Sequence, residues 1–378
     1  GGGSGADGGV EAKAKFEASN PSCVPYVIGL PAGGCAEPPA SPGLSFALNG
    51  ELRELSNPDP DMKLVDYIRN VEGLTGTKKS CAEGGCGACT VTAEFFDEDS
   101  KTWESRAINS CLVPVCSLDG CKVTTIEGIT KDVDDFHPIQ QKLAEKNGSQ
   151  CGYCSAGMVM NMYSMLQSNE KPTKDEIENR FDGNICRCTG YRPILDAMHS
   201  FGGQEGGAAD IEDLGTRKAC PMSEDAEEDH CSRKAKDLCP GDERKLRACS
   251  QQRARTVTSY QNAQGVKWIT PTSLDQLCTL MNSLNQDFEL VSAHTGITGV
   301  QKYYTGKAWG LPAKKASTLI AISRIPELNI VEEAKEGVVV GANTTLEKLL
   351  DVLGRHPNDL GFEALCRHIQ KIANVQVR

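Results

Sequence analysis

Eight of the eighteen cysteines fall into two sets whose spacing suits metal binding. In the first, Cys81 is followed after four residues by Cys86 and after two more by Cys89, with Cys111 a further twenty-one residues on. This is the plant-type spacing for a [2Fe–2S] cluster, with three thiolates on one loop and a distant fourth. Two irons bridged by two sulfides need two thiolates each, so a tight loop wraps three and a neighbouring element supplies the last. The loop residues Ala82-Glu83-Gly84-Gly85 and Gly87-Ala88 are rich in glycine. Positive φ values there would turn backbone N–H groups towards the sulfurs and tune the reduction potential. A zinc site with four cysteines is the competing reading. Such sites usually use two short Cys-x2–4-Cys knuckles, and only half of this set has one.

The second set is Cys151-x2-Cys154, thirty-one residues, then Cys186-x-Cys188. Each pair precedes an expected helix, the second starting near Thr189, and helix N-terminal dipoles favour the negative charge of a cluster. Alone, this set leaves zinc a serious competitor; beside the first, it points to a second [2Fe–2S] cluster. The remaining cysteines read as ordinary thiols. Cys23 and Cys35 are isolated, Cys116 and Cys121 fall among core residues, and Cys278 and Cys366 are expected on apolar helix faces. Cys220, Cys231, Cys239 and Cys249 have no close pair among them, which favours surface thiols over a zinc site. Residues 73–80 nearly resemble a phosphate loop, but the spacing is short and no strand precedes it. No histidine lies in a zincin motif, and no Ser/His/Asp arrangement can be inferred from spacing.

The elements that must position these thiols follow from periodicity. Leu44–Leu48 alternates by two, Asn49-Gly50 is a hairpin signal, and Glu51–Leu55 returns. Leu64, Val65, Ile68 and Val71 fall on one face of a short helix ending near Gly73. Strands are expected over 90–96, 103–108 and around 122–125. From about residue 130 to 201 the period becomes helical, and the stripes around Ile139, Met158–Leu166, Ile177 and Ile194 predict four short helices. The methionine stripe is expected to fill a core rather than bind a soft metal. Residues 1–42 read as a tail, and 203–265, with its acidic run Glu224–Asp229, as a linker. Beyond Val266, strands are expected at 266–270, 288–291, 318–322, 338–341 and 375–377. Helices are expected over 274–284, 345–353 and 362–372.

The 378 residues allow two or three domains, and 39% apolar with 24% charged content is globular. A net charge of −11 argues against a general nucleic-acid binder. No apolar run approaches a membrane span and no secretory segment is seen, so a cytoplasmic protein is expected. The chain starts at Gly1 rather than Met, and its natural start is expected upstream.

Three strings carry a resemblance: Cys-Ala-Glu-Gly-Gly-Cys-Gly-Ala-Cys-Thr (Cys81–Thr90), Gln-Cys-Gly-Tyr-Cys-Ser-Ala-Gly-Met-Val-Met (Gln150–Met160) and Asn-Ile-Cys-Arg-Cys-Thr-Gly-Tyr-Arg-Pro-Ile-Leu (Asn184–Leu195). They resemble the xanthine dehydrogenase and aldehyde oxidase family of molybdo-flavoenzymes, closely over 44–201 and loosely over 266–378. Tyr153, Asn161 and the run Asp210–Leu214 look more like arthropod aldehyde oxidases. The resemblance implies a multidomain α+β chain: a tail (1–42), a β-grasp ferredoxin-like domain (43–129), a four-helix iron–sulfur domain (130–202), a linker (203–265) and a truncated FAD-binding domain (266–378). It implies cluster ligands Cys81, Cys86, Cys89 and Cys111, and Cys151, Cys154, Cys186 and Cys188. It also puts Gln150, Cys151 and Cys188 near a molybdopterin held by a later domain. The flavin loop would be Val291, Ser292, Ala293, His294, Thr295 and Gly296.

The implied function is an electron relay from a molybdenum hydroxylase centre, through two [2Fe–2S] clusters, to FAD. The fragment has no catalytic residue of its own. Partners are the remainder of the flavin domain and the molybdenum domain, with a homodimer at full length and neither nucleic acid nor membrane. Two departures matter. Ala156 stands where the family has proline. Ala293 and His294 replace a glycine and a small amide where backbone approaches a pyrophosphate, so this chain is expected not to retain FAD. The alternatives are a separate iron–sulfur subunit of a multi-chain hydroxylase, which the fused start of a flavin domain disfavours, and a zinc-stabilised structural module.

Overall fold

The hairpin forms as Asn49-Gly50 dictates: Leu44–Leu48 (β1) and Glu51–Leu55 (β2) pair antiparallel. The turn residues have φ of 51° and 79°, as a type I′ turn requires. The structure is a computed structural model describing residues 43–97, 101–130, 136–203, 240–253, 257–285, 287–292, 317–334, 337–356, 358–374 and 376. The expected tail and most of the expected linker lie outside them. The described residues belong to one compact unit, Ala40–Arg378.

Thr90–Phe96 (β3), Trp103–Asn109 (β4) and Lys122–Thr124 (β5) complete a mixed five-stranded sheet of order β2-β1-β5-β3-β4, with β1 and β5 parallel. A single α turn, Leu64–Asp66 (α1), runs into a π-helical stretch, Tyr67–Val71. Leu64, Tyr67 and Ile68 are buried in one cluster with Leu44, Phe46 and Leu48. Val71, expected on that face, is 58% exposed. The Glu72 N–H reaches back five residues to the Tyr67 carbonyl, and this wider turn carries Val71 off the stripe that a 3.6-residue period would give it.

Four helices follow: Pro138–Glu145 (α2), Ser155–Ser168 (α3), Lys174–Arg180 (α4) and Arg192–His199 (α5). Capping boxes start two of them, His137 with Gln140 and Thr173 with Glu176. Every residue from Gly157 to Leu166 is buried. One side of α3 fills the helical core with Met158, Met162 and Met165, while the Met160 carbonyl accepts from Thr92 on β3. The methionine stripe is thus core, as expected.

The expected linker is corrected where it is described. Pro240–Arg253 is a helix (α6) and Thr258–Gln261 a strand (β6). The helix covers the back of the five-stranded sheet. Leu246, fully buried, packs with Ala47, Leu52 and Trp103. Glu243 accepts from Trp103 Nε1 (2.8 Å) and Lys122 Nζ (3.0 Å), and Arg247 lies over the Phe96 ring. This explains why β1, alternating in sequence, is buried at all five residues.

Lys267–Thr270 (β7), Leu274–Ser283 (α7), Phe288–Val291 (β8) and Thr318–Ala321 (β9) build a second sheet of order β6-β7-β9-β8, with β7, β9 and β8 parallel. Val331–Ala334 (β10) and Gly337–Val340 (β11) form a separate hairpin, followed by Leu346–Gly354 (α8) and Leu360–Ile372 (α9). Gln376, expected in a strand, lies in a turn and is buried; Val375 and Val377 lie outside the described residues. The second sheet docks on the first. Tyr260 and Trp268 join the cluster around Phe46, and the Arg324 guanidinium meets the Asp119 carboxylate at 2.6 Å. Among the described residues, no helix is long and apolar enough to cross a membrane.

Candidate metal centres

The first cysteine set gathers on the loop before β3 and the turn after β4. Cys89 and Cys111 are buried with Val65 and Leu112. The Cys89 and Cys111 thiols shift each other's acidity, and Cys86 lowers that of Cys81. Backbone donors point inward, as the glycines predict: the Glu83 N–H reaches Cys81 Sγ at 3.5 Å, and the N–H groups of Gly85 and Cys86 help to lower Cys81, as that of Gly84 does Cys111. Ala82, Gly84 and Gly87 have φ of 57°, 80° and 66°, the left-handed geometry that turns those amides inward. Asn109 braces the loop by donating to the Gly84 carbonyl (3.0 Å), and the Ser110 hydroxyl donates to the Cys89 carbonyl (2.6 Å).

The second set brackets two helix starts. Cys154 immediately precedes α3, and Cys186 and Cys188 precede α5. Here too the thiols shift one another's acidity: Cys151 and Cys188, both exposed, and Cys154 and Cys186. Tyr191, at φ 71°, turns its hydroxyl back to accept the Cys186 N–H at 3.0 Å. The Thr189 hydroxyl lies 3.2 Å from Cys186 Sγ.

Within three pairs one thiol is acidified at its partner's expense. The Cys89 thiol pulls Cys111 down to about 7 against the effect of burial, while Cys89 itself is pushed up by Cys111 and by burial. Burial, then Cys186, pushes Cys154 up to about 12; burial also acts to raise Cys186, but Thr189, Cys188 and Cys154 together hold it below its ordinary value. The Tyr153 N–H and the Cys188 thiol lower Cys151, and Cys188 is raised by Cys151.

Each site offers four thiols from two separate stretches of chain, which match two irons taking two thiolates each. The donor sets fit [2Fe–2S] clusters.

The two sites abut. The Ile185 N–H donates to the Cys86 carbonyl at 3.0 Å, Asn184 Nδ2 to the Gly87 carbonyl at 3.1 Å, and the Tyr153 hydroxyl to the Lys79 carbonyl at 2.6 Å. Gly157 sits where a Cβ would come within 2.2 Å of the Gly87 oxygen. Sequence reading missed Asn184, Asn109 and Tyr191, although Asn184 and Tyr191 lie within a string singled out there. Gln150 is exposed beside Cys151. Val291 is buried at the end of β8, and Ser292 donates to Asn343 Oδ1 at 2.7 Å; Ala293, His294, Thr295 and Gly296 lie outside the described residues. Cys116 and Cys121 are buried thiols as expected, and Cys366 is partly buried. Cys278 is exposed, because α7 turns Leu277 and not its neighbour inward.

Residues 46–116 match the family "2Fe-2S iron-sulfur cluster binding domain", 125–199 the family "[2Fe-2S] binding domain", and 261–378 the family "FAD binding domain in molybdopterin dehydrogenase". The chain is 33% identical to aldehyde oxidase 2 of Cavia porcellus over 367 residues, covering 90% of this chain and 26% of that protein. It is 34% identical to aldehyde oxidase 4 of Rattus norvegicus over 363 residues (90% and 26%), and 33% identical to abscisic-aldehyde oxidase of Arabidopsis thaliana over 346 residues (89% and 24%). It thus spans about a quarter of the length of these relatives. Similar solved structures include quinoline 2-oxidoreductase from Pseudomonas putida 86 (35% identity, 42% of this chain and 90% of that chain, TM-score 0.36). Another is the aldehyde oxidoreductase of Desulfovibrio gigas (32% identity, 42% and 16%, TM-score 0.37). With two [2Fe–2S]-binding domains followed by an FAD-binding domain, the chain belongs to the aldehyde oxidase family of molybdo-flavoenzymes and corresponds to the N-terminal part of its members.

Proposed function

We propose that this chain is the electron-relay part of a longer molybdenum-dependent aldehyde oxidase, carrying electrons from the substrate-oxidising centre towards FAD. The observation that carries the reading is the seating of two four-cysteine sets on loops that abut along one hydrogen-bonded seam. Cys81, Cys86, Cys89 and Cys111 would hold one [2Fe–2S] cluster, in a β-grasp ferredoxin-like domain over 43–129. Cys151, Cys154, Cys186 and Cys188 would hold the other, in a four-helix domain over 130–202. When bound, such clusters store and release single electrons with little structural change. The chain's own residues shape the two ends differently. Val65 and Leu112 keep water from Cys89 and Cys111, and the inward N–H groups stabilise negative charge on the sulfurs. Cys151 and Cys188 are exposed beside Gln150, which suits an entry point facing a molybdopterin. The Gln150 amide can donate to and accept from a pterin edge. Val291–Gly296 would approach the FAD pyrophosphate, in a domain over 266–378.

The full-length protein would be a cytoplasmic homodimer. The zinc alternative is disfavoured by the match of both cysteine-bearing segments to [2Fe–2S]-binding families. Serine substitution at Cys86 and, separately, at Cys186 tests the assignment. Each variant is expected to lose one paramagnetic signal of the reduced protein and keep the other. Loss of both signals from either variant, or of neither, would refute it.

A further inference from the structure

Gln376 follows α9 in the FAD-binding segment and is 8% exposed. Its Nε2 donates to Asn184 Oδ1 at 3.0 Å, a buried bond between residues 192 apart. Asn184 lies between the two cysteine loops. Its Oδ1 also accepts from Asn161 Nδ2 (2.7 Å), and its own Nδ2 donates to the Gly87 carbonyl (3.1 Å). The next residue, Ile185, donates to the Cys86 carbonyl and precedes Cys186. Both lone pairs of the Asn184 oxygen are therefore used, one by a helical-domain residue and one by Gln376.

Two observations say that this contact is specific. A Cβ on Gly183 would fall 1.9 Å from Gln376 Oε1 and 2.9 Å from Asn374 Cγ, so a larger residue here must displace the Gln376 amide. Among the described residues, no hydrogen-bond partner reaches the buried Gln376 Oε1, a burden that packing alone does not explain. Asn161 and Gly87 already hold Asn184, so the iron–sulfur domains can fold without Gln376.

We propose that Gln376 is a positioning residue: its side-chain amide fixes Asn184, and through it the flavin-bearing segment sets the spacing of the two cysteine loops. Electron exit towards the flavin and the geometry between the two thiol sites would thereby be set by one contact. This rests on the electron-relay reading above.

The test uses the full 378-residue chain, reconstituted with iron and sulfide, as wild type, Gln376→Met and Gly183→Ala. The first variant keeps side-chain length and removes the donor; the second pushes the segment away from the opposite side. Hydrogen exchange of the peptide containing Ile185 is followed by mass spectrometry, and the reduced protein is examined by low-temperature EPR. Both variants are expected to keep wild-type iron content, to exchange the Ile185 N–H about tenfold faster, as loss of one buried hydrogen bond implies, and to change the magnetic splitting between the two signals. Wild-type exchange and splitting in Gln376→Met would overturn the proposal. So would loss of iron from both variants, which would make Gln376 a folding residue. If the wild type takes up no iron and sulfide, the relay reading fails instead, and exchange in the metal-free chain still decides the Gln376 contact.

Discussion

Gly157→Ala probes the seam from the helical side. In an unconstrained helix the change would stabilise by about 1 kcal/mol. Here the new Cβ lies 2.2 Å from the Gly87 carbonyl oxygen, 3.2 Å from its carbon and 3.3 Å from Ala88 Cα, all backbone atoms that cannot swing aside. A relaxed C···O contact is about 3.3 Å, so α3 and the first cysteine loop must separate by about 1 Å. That pulls the Asn184–Gly87 hydrogen bond, at 3.1 Å, beyond useful length. Overpacking against backbone costs about 3 kcal/mol, and the lost bond about 1 kcal/mol more. The expected net loss is about 2–3 kcal/mol. Gly354→Ala is the control: Gly354 is the last residue of α8, and nothing lies within 4 Å of its Cβ position. The assay is urea unfolding followed by cluster absorbance, with EPR on the same samples. G157A should unfold at lower urea with altered magnetic splitting, and G354A should match or exceed wild type. Equal stability of the two variants, with an unchanged G157A spectrum, would refute the argument.

Other consequences can be checked separately. Arg324→Met leaves the Asp119 carboxylate, 3% exposed, without its guanidinium. A loss of about 3 kcal/mol is expected, seen as an earlier thermal transition of the flavin-bearing segment; an unchanged transition would contradict it. Arg53 holds the Glu72 carboxylate below its ordinary range against the effect of burial, and the Tyr67 hydroxyl helps. A depressed folded-state pKa contributes stability above the unfolded value, lost as pH falls through the folded one. Glu72→Gln should therefore lower stability at pH 7 and flatten its acid dependence below about pH 4.5; parallel pH curves would contradict this. The chain is expected to emerge from gel filtration with less than one flavin per chain, and Ala293→Gly to raise that ratio. Unit stoichiometry in the unchanged protein would reject the role given to Ala293.

The parts legible from sequence were those fixed by neighbours along the chain. Asn49-Gly50 sets its hairpin through its own φ angles, and Gly84 and Gly87 give their loop the left-handed turns through theirs. The methionine stripe of α3 is legible because its period is helical. What escaped depends on distant partners. Among the described side chains of α6, Leu246 is the one apolar residue fully buried, and Glu243 and Arg247 dock that helix on Trp103, Lys122 and Phe96. Those residues look like a charged linker when read in order. Val71 left its expected face because of a π turn that no local residue type announces. Asn184 and Gln376 lie 192 residues apart, so nothing in either neighbourhood predicts their bond. The cysteine sets could be listed from spacing, but which thiols pair depended on how Cys111 and Cys186 return to the first loops.

The central claim is that these eight thiols hold two [2Fe–2S] clusters side by side. Iron, acid-labile sulfide and zinc measured on one reconstituted sample, together with the spin count of the dithionite-reduced protein, test it most directly. The account expects four irons and four sulfides per chain from two sets of two thiol pairs. It also expects two interacting spin signals and no stoichiometric zinc. A colourless protein holding stoichiometric zinc without labile sulfide would contradict it.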